Sequence, residues 1–210
     1  MVTHAYMEAA RGAMHLLHDP TVAAAWDGPS ALQGFAVSGL AGHLARQVFH
    51  VPALLALSPP DERPITLLEH YVRSAWVGAA VDDEVNVRIR RDATPQAVKG
   101  PATLAAQVKA AVEDLRDTLP AQPVDRVVYL SWGPWALSLG DFLTTRMLEI
   151  AIHNDDLAVS VGVDAPALSS SVIEPVVDVL SRLAVRRHGA AAVLRALSRA
   201  ERAPATIAAI

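Results

Sequence analysis

The pattern of apolar and polar positions is clearest in residues 141–157, DFLTTRMLEIAIHNDDL. At about 100° per residue, the spacing of an α-helix, six side chains fall within about 60° of one direction, and all but the first are polar. Apolar residues flank this polar stripe on both sides, so the stripe lies in the middle of the arc that a helix would bury. We therefore expect the stripe to point into a core. Its members are Phe142, Thr145, Arg146, Glu149, His153 and Asp156.

Helical periodicity also predicts elements before and after this segment. Ser30 is expected to cap the second helix, and Pro52 to kink or divide it. The predicted helices cover residues 5–17, 31–57, 64–81, 102–119, 172–187 and 190–199.

Three shorter stretches are less regular. Residues 84–91 alternate with period two, but their charges also suit a helix face, so the pattern leaves them open. Residues 94–101 are predicted to be a connection, and residues 127–130 form a short run of β-prone side chains. The elements predict an all-α bundle of about four long helices with additions.

Composition agrees with a single helical domain. The chain has 210 residues, of which 52% are hydrophobic and 19% charged, enough to bury a sizeable core. No repeat or linker interrupts it, so we expect one domain over residues 1–210.

Charge and residue usage exclude several classes of function. A net charge of −4 gives no basic field, so nucleic acid is not expected as a partner. No uncharged stretch is uninterrupted enough for a membrane span, and no secretory leader is evident, so we expect a cytoplasmic protein with no membrane partner. The chain has no cysteine, so any thiol chemistry must use a thiol from outside.

Glu149 and His153 are the first candidates for chemistry. Burial of an unpaired carboxylate costs several kcal/mol, roughly, and a divalent metal is one partner that offsets this cost. Residues at i and i+4 stand one turn apart and could share one ion. Alternatively, Arg146 neutralises Glu149 and His153 is a hydrogen-bonded core histidine. A metal site requires a third ligand from another element.

His43 is the candidate for that third ligand. Leu40, Leu44 and Val51 lie on one side of it, and the nearby Gly39 and Gly42 would let a neighbouring backbone approach closely. His50 lies seven residues further on, shares the face of His43 and is its natural rival. Surface positions are expected for the histidines near the chain ends, His4, His15, His18 and His188.

Two segments resemble a known family. AWDGPSALQGFAVSGLAGHLARQV and DFLTTRMLEIAIHNDDLAVSVG are similar to the signature segments of the DinB-like superfamily, in the branch of the N-terminal domain of mycothiol-dependent maleylpyruvate isomerase. The matching set is the His of AGHLARQ, the pattern R-x-x-E-x-x-x-H and the following D-D-L. LSRAERAP near the C-terminus is also similar to actinobacterial members of that branch.

The resemblance implies a DinB-like four-helix bundle with additional short helices and a metal held by His43, Glu149 and His153. The ion in this family is usually zinc, sometimes nickel or another divalent metal, and the thiol cosubstrate is mycothiol. Arg146 would hold Glu149 or Asp156, and the pair Asp155 and Asp156 would orient the helix end or His153. We count Arg146 and Asp156 among the candidate catalytic residues.

The expected function is a metal-dependent S-transferase or isomerase in which the metal activates a small-molecule thiol toward an electrophilic substrate. In the isomerase a second, C-terminal domain contributes to the substrate site, and the present sequence ends at Ile210. We therefore expect a stand-alone thiol transferase in preference to maleylpyruvate isomerisation. A metal-carrying bundle without turnover and a metal-dependent hydrolase are the alternatives, and the sequence leaves open a monomer or a homodimer.

Overall fold

The protein is described here by a computed structural model covering residues 2–210. These residues form nine α-helices and one two-stranded sheet. In chain order the elements are α1 (Val2–Leu17), α2 (Pro20–Ala24), α3 (Val37–Leu55), α4 (Leu67–Arg73), α5 (Glu84–Ala97), α6 (Pro101–Thr118), β1 (Val127–Leu130), β2 (Trp135–Ser138), α7 (Leu139–Val161), α8 (Ser170–His188) and α9 (Ala190–Ser198). Short 3₁₀ turns, Leu119–Ala121 and Ala200–Arg202, follow α6 and α9.

Four helices enclose the core. Helix α7 packs against α1 and α3, and α6 packs against the same two helices, so each of the four contacts two principal neighbours. Helix α5 packs against α3. Helix α8 packs against α7 and α1, and α9 packs against α8. The predicted all-α bundle with additional short helices is confirmed. No helix within residues 2–210 combines the length and the apolar character that a bilayer crossing requires.

Helix α7 extends beyond the predicted segment at both ends. The Ser138 hydroxyl accepts a hydrogen bond of 3.0 Å from the backbone N–H of Asp141 and caps the start of the helix. The helix ends at Gly162, whose φ of 72° lies in the left-handed region that glycine adopts without strain. Residues next to each end of the helix therefore set both of its boundaries, and the polar stripe lies well inside a long helix.

Helix α3 begins six residues later than predicted. The Ser30 hydroxyl does not cap a helix; it donates to the carbonyl groups of Leu32 and Phe35, each at 3.0 Å, and closes a turn. Pro52 does not divide the helix, which continues to Leu55. The prediction of one helix over residues 31–57 was thus wrong at its start, because local side-chain hydrogen bonds stabilise the turn.

Helix α4 is much shorter than the predicted helix over residues 64–81. A capping box of Thr66 and Glu69 begins it, and the hydroxyl of Ser74 donates to the carbonyl of His70 at 2.7 Å where it ends. These hydrogen bonds satisfy the backbone groups of a two-turn helix, and the chain leaves it in extended conformation.

The stretch that periodicity left open, residues 84–91, is helical, and α5 continues into the predicted connection as far as Ala97. Packing overrides the local signal, because Ala93 and Ala97 are buried where α5 crosses α3. A Cβ atom at Gly42 would lie 2.5 Å from the carbonyl oxygen of Ala93. The expected close approach of a backbone beside His43 is therefore confirmed.

The β-prone run is strand β1, and β2 was not predicted. The two strands pair antiparallel, with Val127 opposite Ser138 and Leu130 opposite Trp135. The hairpin leads directly into α7 and places Trp132 and Trp135 next to the bundle.

Candidate metal centre

Helices α3 and α7 bring three polar side chains together inside the bundle. Glu149 and His153 lie one turn apart on α7, and His43 faces them from α3. The Oε2 atom of Glu149 lies 3.4 Å from Nε2 of His43 and 3.4 Å from Nε2 of His153. One ligand atom from each of the three residues lies within 4.8 Å of the others. The structure thus joins the three residues that the sequence analysis named as ligands.

The spacing of these atoms fits a bound ion better than direct hydrogen bonds. A good N–H···O bond is about 2.9–3.0 Å long, so 3.4 Å is a poor one. Two ligand atoms that sit 2.0–2.1 Å from one zinc ion at a tetrahedral angle are about 3.3 Å apart. Two imidazoles and a carboxylate are also a donor set that zinc and nickel accept. The residues present therefore fit a divalent metal.

The three side chains are largely shielded from solvent but not sealed. The side chains of His43, Glu149 and His153 are 13%, 14% and 13% exposed. Burial alone would raise the pKa of Glu149, but hydrogen bonds from His153 and His43 hold it well below the usual range. Burial lowers the pKa of His43, a change that the Glu149 hydrogen bond only partly offsets. The centre therefore offers an ionised carboxylate and a neutral imidazole, both ready to bind a cation.

Asp156 orients His153. One of its carboxylate oxygens lies 2.9 Å from Nδ1 of His153, one turn further along α7. This contact leaves Nε2 to face Glu149 and fixes the ring, as carboxylates do beside metal-binding histidines. Burial lowers the pKa of His153, but the hydrogen bonds that its ring donates to Asp156 and Glu149 outweigh burial and raise the pKa to about 9. In the metal-free protein His153 is therefore protonated at neutral pH.

Arg146 does not hold the residues that the sequence suggested. Within residues 2–210, its guanidinium group hydrogen-bonds neither Glu149 nor Asp156. Instead Nη1 donates to the side-chain oxygen of Gln47 on α3, and Nε donates to the Thr145 hydroxyl at 3.0 Å. The expected pairing was wrong because a long arginine side chain reaches across to the neighbouring helix, where a buried carbonyl oxygen is its acceptor.

Gln47 is the residue that sequence reasoning missed. It is only 2% exposed, and its side-chain nitrogen donates to the carbonyl oxygen of His43 at 2.9 Å. Its backbone carbonyl accepts a hydrogen bond of 3.2 Å from the Tyr6 hydroxyl on α1. The available signal was its position four residues after His43, one turn along the same face.

His50, the rival of His43, lies outside the cluster. Its ring stacks on Trp132 with centroids 4.6 Å apart, and its Nδ1 lies 3.5 Å from Nη1 of Arg146. Burial, followed by the positive charge of Arg146, lowers the pKa of His50 to about 3. The ring of His43, by contrast, lies edge-on to that of His153 at 4.7 Å. His50 therefore contacts the hairpin, whereas His43 contacts α7.

A second buried histidine, His70, was not singled out by the sequence. Nε1 of Trp135 donates to Nδ1 of His70 at 3.0 Å, and the His70 ring lies edge-on to Tyr71. Burial and, to a smaller extent, the positive charge of Arg146 lower the pKa of His70 to about 4. Since an acceptor nitrogen must be unprotonated, His70 is neutral in the folded protein.

We expect this neutral histidine to make the fold sensitive to acid. Its pKa is about 4 when folded and 6.5 when unfolded, so the unfolded chain binds more protons between these values. Stability is then fully present above pH 6.5 and falls by up to about 3 kcal/mol as the pH falls through 4. Denaturant unfolding of chelator-treated protein at pH 7 and pH 4 measures the loss.

His70→Gln, which keeps an acceptor for Trp135, should lose markedly less stability over this range than the parent. His15→Gln, at an exposed position on α1, is the matched control and should behave as the parent does. Equal losses in parent and His70→Gln would contradict the assignment.

Comparison with known proteins adds a family assignment to this geometry. A family model described as the mycothiol maleylpyruvate isomerase N-terminal domain matches residues 6–158. The matched region contains His43, Glu149 and His153 and all four helices of the bundle except the last residues of α7 and the first of α1. Neither the curated proteins nor the solved structures gave a match.

Proposed function

Because the chain belongs to the mycothiol maleylpyruvate isomerase N-terminal domain family, we propose that it binds a divalent metal and joins a low-molecular-weight thiol to an electrophile. The metal, zinc or nickel, would be held by His43, Glu149 and His153, and the thiol would be mycothiol or a close chemical relative. The observation that carries the proposal is the convergence of two imidazole nitrogens on one carboxylate oxygen, each at 3.4 Å, between helices more than 100 residues apart in sequence.

Three protein ligands leave at least one coordination position open, which is the arrangement of catalytic sites. A divalent metal bound here would lower the pKa of an incoming thiol from about 8.5, so that the sulfur is a thiolate near neutral pH. The sulfur must come from another molecule because the chain has no cysteine.

The chain's own residues supply orientation and charge. Asp156 fixes the His153 ring, and Gln47 with Arg146 braces the side of the site formed by α3. The sulfur lone pair would form the new carbon–sulfur bond and the thiol proton would leave to solvent. In a substitution the leaving group would depart with its bonding electron pair, and in an addition the displaced π-electrons would stay on the product and take up a proton from solvent. Arg146 is then a positioning residue, since its contacts are to Gln47, Thr145 and His50.

A partly open cavity lies beside the N-terminal part of α3. It has a volume of about 360 Å³ and is lined by Phe35, Ser38, Gly39, Arg90 and Arg91 among others. Phe35 also lies against His43, with ring centroids 5.9 Å apart. Phe35 is therefore shared by the cavity and the surroundings of His43, while none of the three candidate ligands lines the cavity.

The test is a comparison of metal-free, zinc-loaded and nickel-loaded protein with mycothiol and 1-chloro-2,4-dinitrobenzene. We expect conjugate formation, followed by absorbance, only in metal-loaded protein, and loss of it on addition of a chelator. Thiol-independent cleavage of an ester or amide would instead identify a hydrolase. Tight metal binding with neither activity would identify a metal-carrying module and would refute the transferase proposal.

A further inference from the structure

The side chain of Gln47 lies between the candidate metal ligand His43 and the guanidinium group of Arg146. It is almost completely buried, so each of its polar atoms needs a partner inside the protein. The carbonyl oxygen accepts from Arg146, and the nitrogen donates to the backbone oxygen of His43. The same nitrogen lies 3.4 Å from Nε2 of His43.

Arg146 determines which way round the amide lies. A guanidinium group only donates hydrogen bonds, so the end of the amide facing Arg146 must be the oxygen. The NH₂ end is then turned toward His43 and the metal centre. The Tyr6 hydroxyl holds the backbone of Gln47 in addition, which leaves the side chain little freedom to turn away.

One of the two amide hydrogens is left for the site itself. The first is used on the His43 carbonyl at 2.9 Å, and the second is directed to the region of His43 Nε2. Nε2 of His43 cannot be its acceptor: that nitrogen donates to Glu149 in the metal-free protein, and its lone pair would be on the ion once a metal is bound. A buried N–H group without an acceptor costs about 1–3 kcal/mol, so another acceptor beside the ion is favoured.

We propose that Gln47 donates this hydrogen bond to the anionic atom that an exogenous ligand brings to the open coordination position. The inference rests on the proposed metal site and goes further by assigning the residue that recognises the incoming thiolate. Gln47 is thus a ligand-contacting residue, and Arg146 is the positioning residue that keeps its donor end toward the site.

The experiment uses the protein loaded with Co²⁺, whose visible absorption reports its ligands. N-acetylcysteine, azide and imidazole are titrated into the parent and into Gln47→Met, which has a similar shape and no donor. Imidazole has no lone pair left once it binds the ion, so it serves as the probe that cannot accept from Gln47. Gln107→Met, at an exposed position on α6, is the matched control.

We expect Gln47→Met to bind N-acetylcysteine and azide about tenfold more weakly than the parent, the loss of one hydrogen bond to a charged group. Its affinity for imidazole and for Co²⁺ should stay within about threefold, because the three ligands are unchanged. Gln107→Met should match the parent for all probes.

A uniform weakening of all three probes, or no weakening of the anions, would overturn the inference, since Gln47 would then only support the fold. If the parent binds Co²⁺ and azide but not N-acetylcysteine, the thiol function fails while azide still tests Gln47. If the parent binds no Co²⁺, the metal site and this inference both fail. Should Gln47→Met not fold, Gln47→Glu keeps the acceptor for Arg146, and its ratio of azide to imidazole affinity must also fall.

Discussion

Replacement of His153 by alanine should weaken the binding of zinc at least about a hundredfold. Structural zinc sites with four ligands bind with about 10–16 kcal/mol, so one ligand accounts for about 2.5–4 kcal/mol, which corresponds to a factor of about 10²–10³. The same loss is expected for His43→Ala, because both imidazoles lie 3.4 Å from the shared Glu149 oxygen. Competition with a chromophoric chelator measures the affinity, and mass spectrometry measures the metal content of untagged protein.

His50→Ala is the sharpest control for this prediction. His50 lies on the same helix face as His43 and is likewise partly buried, but it stacks on Trp132 away from the cluster. The zinc affinity of His50→Ala should stay within about threefold of that of the parent, a much smaller loss than removal of a metal ligand would cause. Equal losses in His50→Ala and His43→Ala, or full metal content in His153→Ala, would refute the three-residue site.

Asp156→Asn should weaken zinc binding about 10–100-fold at pH 9, because it removes the carboxylate that orients His153. The loss should be smaller at pH 7. In the metal-free parent, Asp156 also helps to raise the pKa of His153 to about 9, so at pH 7 the metal must displace a proton. The zinc affinity of the parent should therefore rise with pH up to about 9, and the zinc affinity of Asp156→Asn should rise less steeply. Chelator-buffered zinc titrations at both pH values measure the two slopes.

Asp155→Asn provides the neighbouring control, since Asp155 is exposed and has no hydrogen bond to His153 within residues 2–210. It should reproduce the pH dependence of the parent. Parallel slopes for Asp156→Asn and the parent would mean that Asp156 does not set the protonation of His153.

Much of the fold was predictable because its signals are local. Helices α1, α6, α7, α8 and α9 follow the apolar periodicity to within a few residues, and capping serine and terminating glycine mark the ends of α7. The remaining differences have two causes. The start of α3 and the length of α4 depend on side-chain hydrogen bonds in turns, while the helical state of residues 84–97 depends on packing against Gly42.

The candidate site also has one part that the sequence predicts and one part that it does not. The polar stripe of α7 places Glu149 and His153 one turn apart, and this spacing follows from helix geometry alone. His43 and His50 are equivalent by periodicity, and the resemblance to a family pointed to His43. The structure distinguishes them, since α7 meets α3 at His43 whereas the hairpin covers His50.

The sequence by itself therefore determined the helical class, the face of α7 that carries the polar stripe and the fact that the chain supplies no thiol of its own. Only the tertiary structure decided that Arg146 binds Gln47, that His70 accepts from Trp135 and that His43 completes the cluster. The physical reason is range: periodicity reports which face of a helix is buried, but the partner of that face is set by packing between elements about a hundred residues apart.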